Sequence, residues 1–436
     1  MLIILLCIVL LILLVSWAKL NPFLAFLIVS IAAGLCLGIP LTKITRSVEN
    51  GLGDILGKLT IIICLGAMLG KLVASSGAAQ KIAEVLVNFF GVKYIQLALV
   101  AVGFIIGIPL FYNIGFVLMV PLIFSVVYKY KLPAVYIGLP MLAALSVTHG
   151  FLPPHPGPTT LVGMFNADMG TTLRYGIMVA IPAIILAGPV FAQTLKKMPS
   201  EPLATFRSED LPADKLPGAW NSFLTALLPV ILLMASNIYL GRYKEESQLR
   251  TLIVFLSDGP IVMLISLMVA TYTLGVHQKT SMKVLGNIYS DAVKDISMIL
   301  LIIAGAGAFK QVLVDSGVNN EITALLTSLH MEPLLLGWLL AAIIRISLGS
   351  ATVAGVTAAT ILQSMVAKDP SINPNLMVLS IGAGSLVLSH VNDGGFWLFK
   401  EYFNLSIKNT FLSWTMMETL VAIIGLGGVL VLNAFV

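Results

Sequence analysis

The chain is short of charge. Lys, Arg, Asp and Glu make up 10% of its 436 residues, where an ordinary globular domain is about a quarter charged. So little charge cannot solvate a folded chain of this length, which excludes a water-soluble enzyme, a nucleic-acid binder and a disordered scaffold. The net charge of +5 does not alter this, because the basic residues stand singly between apolar runs. Cysteine is scarce too. Cys7, Cys36 and Cys64 lie in apolar runs without metal-ligand spacing, and read as small buried hydrophobes. There is no phosphate-binding loop, nucleophile motif, lipidation motif or soluble appendage. Met1 to Trp17 lacks a basic leader and a small-residue cleavage site, so it reads as a retained first span rather than a signal peptide.

What the chain has is apolar length. Hydrophobic residues are 58% of it and mean hydropathy is +1.01, the profile of a polytopic membrane protein. About 20 apolar residues cross a bilayer. Candidate spans are Leu2–Ala18, Pro22–Leu41, Ile55–Ala74, Leu132–Gly163 (interrupted) and Leu173–Leu195, then Trp220–Leu240, Leu252–Val276, Ala292–Lys310, Leu376–Phe399 (interrupted) and Phe411–Phe435. Between them lies Lys196–Ala219, a polar stretch with four prolines, which reads as a linker between halves. Two further apolar regions, 94–127 and 333–365, are too long for one span and carry breakers at their middles, Ile108–Asn113 and Ile346–Thr352. Each reads as a re-entrant hairpin of two half-length helices, with its tip buried in protein or lining a cavity.

The halves resemble each other at a shift of about 240 residues. Gly66–Lys71 matches Gly305–Lys310, Ser76-Gly77 matches Ser316-Gly317, Thr148-His149 matches Ser389-His390, Phe165-Asn166 matches Phe403-Asn404, and Pro22 matches Pro260. This collinear order indicates an internal duplication. Five spans per half is an odd number, so the two copies are inverted in the membrane. The expected fold is therefore an all-α polytopic membrane protein of two inverted repeats, each with five transmembrane spans, a re-entrant hairpin and a broken helix. The first repeat is 1–195, with hairpin 94–127 and broken span 132–163. A cytoplasmic linker, 196–219, joins it to the second repeat, 220–436, with hairpin 333–365 and broken span 376–399. On this count one side collects thirteen Lys and Arg and the other seven, which puts the richer side in the cytoplasm and both termini in the periplasm.

The densest polar cluster inside an apolar span runs from Ser146 to Thr160. It holds Thr148, His149, His155, Thr159 and Thr160, with Pro153, Pro154, Pro156 and Pro158. Such a run cannot stay helical, and its freed backbone groups need partners at membrane depth, which a polar substrate or ion would supply. Its counterpart is Ser389 to Phe396, with His390, Asn392, Asp393, Gly394 and Gly395. An intramembrane carboxylate such as Asp393 reads as functional, or as one half of a structural ion pair. The hairpin tips add Tyr112 and Asn113, and Ser350 and Thr352 with Ser347 and Gly349; small hydroxyl residues bond ligands or allow close helix packing. Arg345 precedes the second tip and could pair with an anionic substrate or with a carboxylate. Lys71 and Lys310 end matched spans and are expected to snorkel to the surface. Helix ends at the tips favour an anion, and histidine titrates near physiological pH.

These features favour a secondary transporter over two alternatives. A membrane-embedded metalloenzyme would use His149, His155, His390 and Asp393, but the histidine spacing of six and the prolines between them do not present a helical ligand pair. A channel would need no moving element. No metal, cofactor or nucleic-acid partner is expected.

The runs Ala144–Pro158, Phe165–Gly170, Lys310–Gly317, Leu348–Val353, Ser389–Asp393 and Gly395–Asn404 resemble the gluconate permease family, and the likeness extends nearly end to end. The resemblance implies a bacterial inner-membrane symporter that takes up gluconate or a related sugar acid with protons. The family belongs to the ion transporter superfamily, whose members are built from inverted repeats with two re-entrant hairpins and work as homodimeric elevators. It implies a transport domain of hairpins and broken spans and a scaffold of the first two spans of each half with the amphipathic piece Ala78–Phe90. The expected substrate ligands are Tyr112, Asn113, Thr148, His149, His155, Thr159, Thr160, Ser350, Thr352, His390, Asn392 and Asp393, and the candidates for proton coupling are His149, His155 and Asp393. One departure bears on coupling. The family's first hairpin tip often reads Phe-x-Glu-Val-Gly, and here it is Phe111-Tyr112-Asn113-Ile114-Gly115. An amide cannot carry the proton, so coupling to another group, sodium coupling, or a different hydroxy or amino acid remain alternatives.

Overall fold

The structure, a computed structural model, describes residues 2–107, 112–153, 155–206, 211–243, 247–318 and 331–436. All regular structure among them is helical. The first half contains α1 (Leu2–Ser16), α2 (Pro22–Cys36), α3 (Leu41–Ser75), α4 (Ala78–Gly107), α5 (Tyr112–Tyr130), α6 (Ala134–Phe151), α7 (Pro156–Phe165) and α8 (Met169–Leu195). The second contains α9 (Ala219–Arg242), α10 (Gln248–Leu256), α11 (Gly259–Gln278), α12 (Met282–Asp315), α13 (Pro333–Leu348), α14 (Ala351–Lys368), α15 (Pro374–Gly384), α16 (Gly394–Tyr402) and α17 (Ile407–Asn433). Eight helices among the described residues are long and apolar enough to cross a membrane. α1 and α2, at 15 residues each, are shorter than the spans expected there.

The sequence matches reappear as matched stereochemistry. α2 starts at Pro22, where the side chain of Asn21 accepts the N–H of Phe23 at 2.9 Å, and α11 starts with Asp258 before Gly259-Pro260. Proline at a first helical turn sacrifices only an N–H that has no intrahelical partner. α3 and α12, 35 and 34 residues long, both end in Ser-Gly. Ser76 Oγ donates to the Val73 carbonyl and Ser316 Oγ to the Leu313 carbonyl, and Gly77 and Gly317 turn the chain at φ +81° and +74°. α7 ends in left-handed Asn166 and α16 is followed by left-handed Asn404. α8 and α17 are both 27 residues long. Asp168 caps α8, and hydrogen bonds from the Thr171 side chain and backbone hold its carboxyl below the usual range.

α3 and α12 pack along each other. A Cβ on Gly51 would stand 2.5 Å from the Gly307 carbonyl oxygen, and one on Gly307 would stand 2.8 Å from that of Gly51. Glycine is therefore required at the crossing. α6 is enclosed by protein: all its residues are buried except Tyr136 and His149. α1, α8 and α9 expose Leu, Ile and Met side chains such as Leu5, Met178 and Ile238, as a lipid-facing surface does. Cys7 is buried and Cys64 half-buried, but Cys36 is exposed, against the expectation of burial for all three.

Two expected features take a different form. The regions 94–127 and 333–365 each form a pair of packed helices, α4 with α5 and α13 with α14. Their legs are longer than half-length, however. α5, α13 and α14 have 19, 16 and 18 residues, or about 24–28 Å of helix. The first leg is set off from the amphipathic Ala78–Phe90 by Gly91 at φ +72°. The proline-rich connection is not a free linker. Leu203 N–H donates to the Tyr402 carbonyl at 3.0 Å, Ser200 Oγ to the Phe403 carbonyl at 2.7 Å, and Thr205 Oγ1 to Asp295 Oδ2 at 2.6 Å. Phe206 is buried and stacks on Tyr402. Arg207 lies outside the described residues, as do Lys244 and His330.

Gly307→Val would drive a branched side chain into the α3 backbone. We expect a loss of about 1–3 kcal/mol, the usual cost of overpacking, read as a lower unfolding temperature of the detergent-solubilised protein, with Gly53→Ala, whose Cβ would meet open space, as the neutral control.

Candidate functional site

α6 stops because prolines follow it. Leu152 N–H reaches back to the Thr148 carbonyl at 3.2 Å, His155 N–H bonds the Leu152 carbonyl at 3.1 Å, and His155 then caps α7, accepting the Gly157 N–H at 3.4 Å. Local turns thus satisfy part of the broken backbone, a share expected of a ligand. Pro154 lies outside the described residues. His149 Nδ1 and His155 Nε2 are 3.1 Å apart, and His149 packs near the Tyr112 ring.

The second break, between α15 and α16, is held more tightly. Asn392 Nδ2 donates to the carbonyls of Ile346 and Ser347 at 2.7 and 3.2 Å, and His390 Nε2 bonds the Ile346 carbonyl at 3.0 Å. These are the last carbonyls of α13, which have no intrahelical partner. Gly349 completes the contact at φ +68°; any Cβ there would stand 2.1 Å from the Asn392 carbonyl oxygen. Asp393 caps α16, accepting the Gly395 N–H at 3.0 Å, and is bonded by both Arg345 and Ser389 Oγ. Trp414 Nε1 donates to Ser389 Oγ at 2.7 Å and Thr415 Oγ1 to the Ser389 carbonyl at 2.5 Å. The hairpin tip, the break and α17 are therefore one bonded unit.

A cavity of about 220 Å³ opens beside this unit. Ile55 and Leu59 of α3 and Lys310 of α12 line it, together with Tyr112, His149, Trp414 and Glu418. The N-terminal turns of α14 (Ser350, Ala351, Thr352) and α16 (Gly394, Gly395) open into it. Of the expected site residues, Tyr112, His149, Ser350, Thr352, Asn392 and Asp393 line this cavity. Thr148 does not: its hydroxyl bonds back to the Ala144 and Leu145 carbonyls at 3.1 and 2.8 Å. His155, His390, Thr159 and Thr160 also lie off its wall, and Thr160 is exposed. The side chain of Asn113 and the tip 108–111 lie outside the described residues.

Arg345 takes one of its two sequence readings, pairing with the carboxylate of Asp393. Two residues depart from theirs: Lys71 pairs with Asp295 at 3.0 Å, and Lys310 lines the cavity. Glu418 was missed altogether. It lies one turn after Trp414 on α17, 1% exposed, accepting Ser146 Oγ at 2.6 Å. The available signal was a carboxylate inside the apolar run 411–435. Among the described residues no group of three His, Cys, Asp or Glu could hold a metal ion.

Comparison with known proteins decides the class. The profile described as GntP family permease matches residues 1–435. The chain belongs to that family. It is 45% identical to the high-affinity gluconate transporter of Escherichia coli K12, across 98% of this chain and 97% of the relative. It is 44% identical to a gluconate permease of Bacillus licheniformis, across 98% of each. It is also 44% identical to the Gnt-II system L-idonate transporter of E. coli K12, across 98% of this chain and 97% of the relative. Among solved structures, the Alcanivorax borkumensis YdaH transporter aligns over 95% of this chain and 97% of its own, at 16% identity and a TM-score of 0.43. The GntP family chain is thus a transporter rather than an enzyme, and a multi-pass membrane protein.

Because the Arg345–Asp393 pair is buried, Arg345→Met or Asp393→Asn alone strands a charge and should cost about 3–5 kcal/mol. The double variant should recover much of that loss, a non-additivity that thermal unfolding of all four proteins in detergent would measure.

Proposed function

We propose that the chain imports gluconate or a related sugar acid by proton symport. The carrying observation is the cavity: Lys310 and Arg345 lie on its wall, two helix N-termini open into it, and hydroxyl and amide groups stand between them. The cationic side chains and helix ends suit a carboxylate. Tyr112 Oη and Asn392 Oδ1 are buried without a hydrogen-bond partner, which is costly unless something binds there. With Ser350 and Thr352 they are suited to a polyhydroxylated chain. Relatives named for gluconate and for L-idonate at nearly equal identity support the sugar-acid class.

The proton coupling is assigned to titratable groups of the cavity and the breaks. The candidates singled out by sequence are His149, His155 and Asp393: His149 and Asp393 line the cavity, and His155 lies against His149 at the first break. The matched lengths and caps of the two halves support repeats at 1–195 and 220–436; their inversion, with 196–219 on the cytoplasmic side and both termini periplasmic, rests on the odd span count and the Lys and Arg bias of the sequence. The second hairpin and the second break are bonded to each other through Arg345, Ile346 and Ser347, which supports hairpins and broken spans that move as one body against the scaffold of a homodimeric elevator.

The test is uptake of labelled gluconate into proteoliposomes under an imposed pH gradient, with and without a sodium gradient. Accumulation driven by the pH gradient alone, competed by unlabelled idonate, is the expected result. Accumulation only with sodium would overturn proton coupling, and no uptake under either gradient would overturn the sugar-acid assignment. Tyr112→Phe should weaken gluconate uptake about tenfold in KM, the worth of one hydrogen bond in a buried site.

A further inference from the structure

Six ionisable side chains line the cavity: Tyr112, His149, Lys310, Arg345, Asp393 and Glu418, of which two are basic side chains of Lys and Arg and two are carboxyls. They are not equally engaged. The Asp393 carboxylate is bonded by Arg345, Ser389 Oγ and the Gly395 N–H. Glu418 accepts one hydrogen bond, from Ser146, on Oε1, and its Oε2 is buried without any partner. An ionised carboxylate accepts on both oxygens, whereas a protonated one can offer O–H to a ligand. The histidines are engaged with each other: at 3.1 Å between His149 Nδ1 and His155 Nε2, one ring must donate and the other accept, which two neutral rings satisfy.

We infer that Glu418 takes up the transported proton, and that the charge balance of the buried cavity ties one proton to each monovalent substrate anion. The inference rests on the proton-symport reading above and deepens it. Lys310 and Arg345 supply two positive charges; Asp393 and ionised Glu418 supply two negative ones. None of the ion pairs among the described residues uses Lys310. The empty, deprotonated cavity is therefore neutral. Adding a proton to Glu418 leaves one positive charge, which a carboxylate anion cancels. Substrate without the proton, or the proton without substrate, leaves a net charge at membrane depth, where unpaired charge is expensive. Only the two balanced states are suited to cross, and that exclusion is the coupling. The proton moves from water to a Glu418 carboxylate oxygen on one side and returns to water on the other; no other bond changes. The other titratable groups that line this cavity are Tyr112 from α5, His149 from α6, Lys310 from α12, Arg345 from α13 and Asp393 from the break; α8 and α15 contribute no titratable side chain to the lining.

Proteoliposomes separate the alternatives. In the wild type, an inside-alkaline pH gradient should drive gluconate accumulation, and a potassium-diffusion potential alone should not, because one proton with one monoanion carries no net charge. Glu418→Gln, which mimics the protonated acid, should lose pH-driven accumulation while still exchanging labelled for unlabelled gluconate across the membrane. Ser146→Ala removes the hydrogen bond that favours the ionised form, so the pH midpoint of uptake should move alkaline by about one unit. This variant decides the matter if the glutamine variant fails to fold. Undiminished pH-driven accumulation by Glu418→Gln, or an unmoved midpoint in Ser146→Ala, would overturn Glu418 while leaving proton symport intact. Accumulation driven by the potential alone would overturn the one-to-one balance. A wild type that ignores the pH gradient would overturn the symport reading itself, and this inference with it.

Discussion

The ion pair between Arg345 and Asp393 organises the membrane interior of this transporter. It joins a hairpin helix to a broken span, at a depth where neither charge could stand alone. Around it the uncovered backbone of both elements is satisfied: Asn392 and His390 close the end of α13, and Asp393 opens α16. A chain through Trp414 and Ser389 adds α17 to the same unit. The result is non-helical backbone whose groups at these positions are paired inside protein, the condition such backbone must meet in an apolar surround.

The two halves use this logic unequally. The first break carries four prolines and is closed by local turns and a histidine cap, with the His149–His155 contact across it. The second carries glycines and a carboxylate and is closed by long-range bonds to the second hairpin. Matched caps show how alike the helix ends remain, in Ser76-Gly77 and Ser316-Gly317 above all. The chemistry has concentrated on one side of that near-symmetry. The cavity takes its carboxylates and its guanidinium from the second half, and from the first half it takes Tyr112, Ser146 and His149.

The connection between halves has a mechanical place in the molecule. Through Thr205 it touches Asp295, which also pairs with Lys71, so it is tied to the α3–α12 couple. Through Ser200, Leu203 and Phe206 it is tied to the end of α16. A proline-rich stretch that looks like a spacer in sequence is a strap between the two long packed helices and the bonded unit around the cavity.

Hydrophobic length and breaker residues determined the helical membrane class, the two helical pairs, and both broken spans, because apolar periodicity and missing N–H groups act locally. They also marked Tyr112, His149, Ser350, Thr352, Asn392 and Asp393, which meet at one cavity. Tertiary structure decided what each group faces. The Thr148 hydroxyl turns back to its own helix, and Thr159 and Thr160 are not among the residues that line the cavity. Lys310 lines the cavity because α12 packs along α3 beside it. Glu418 shows in sequence only as a carboxylate inside an apolar run, and the packing of α17 against α6 sets that carboxylate beside Ser146. A charge in a membrane is defined by its neighbours, and those neighbours come from other segments, 48 residues away for Arg345 and Asp393 and 272 for Ser146 and Glu418.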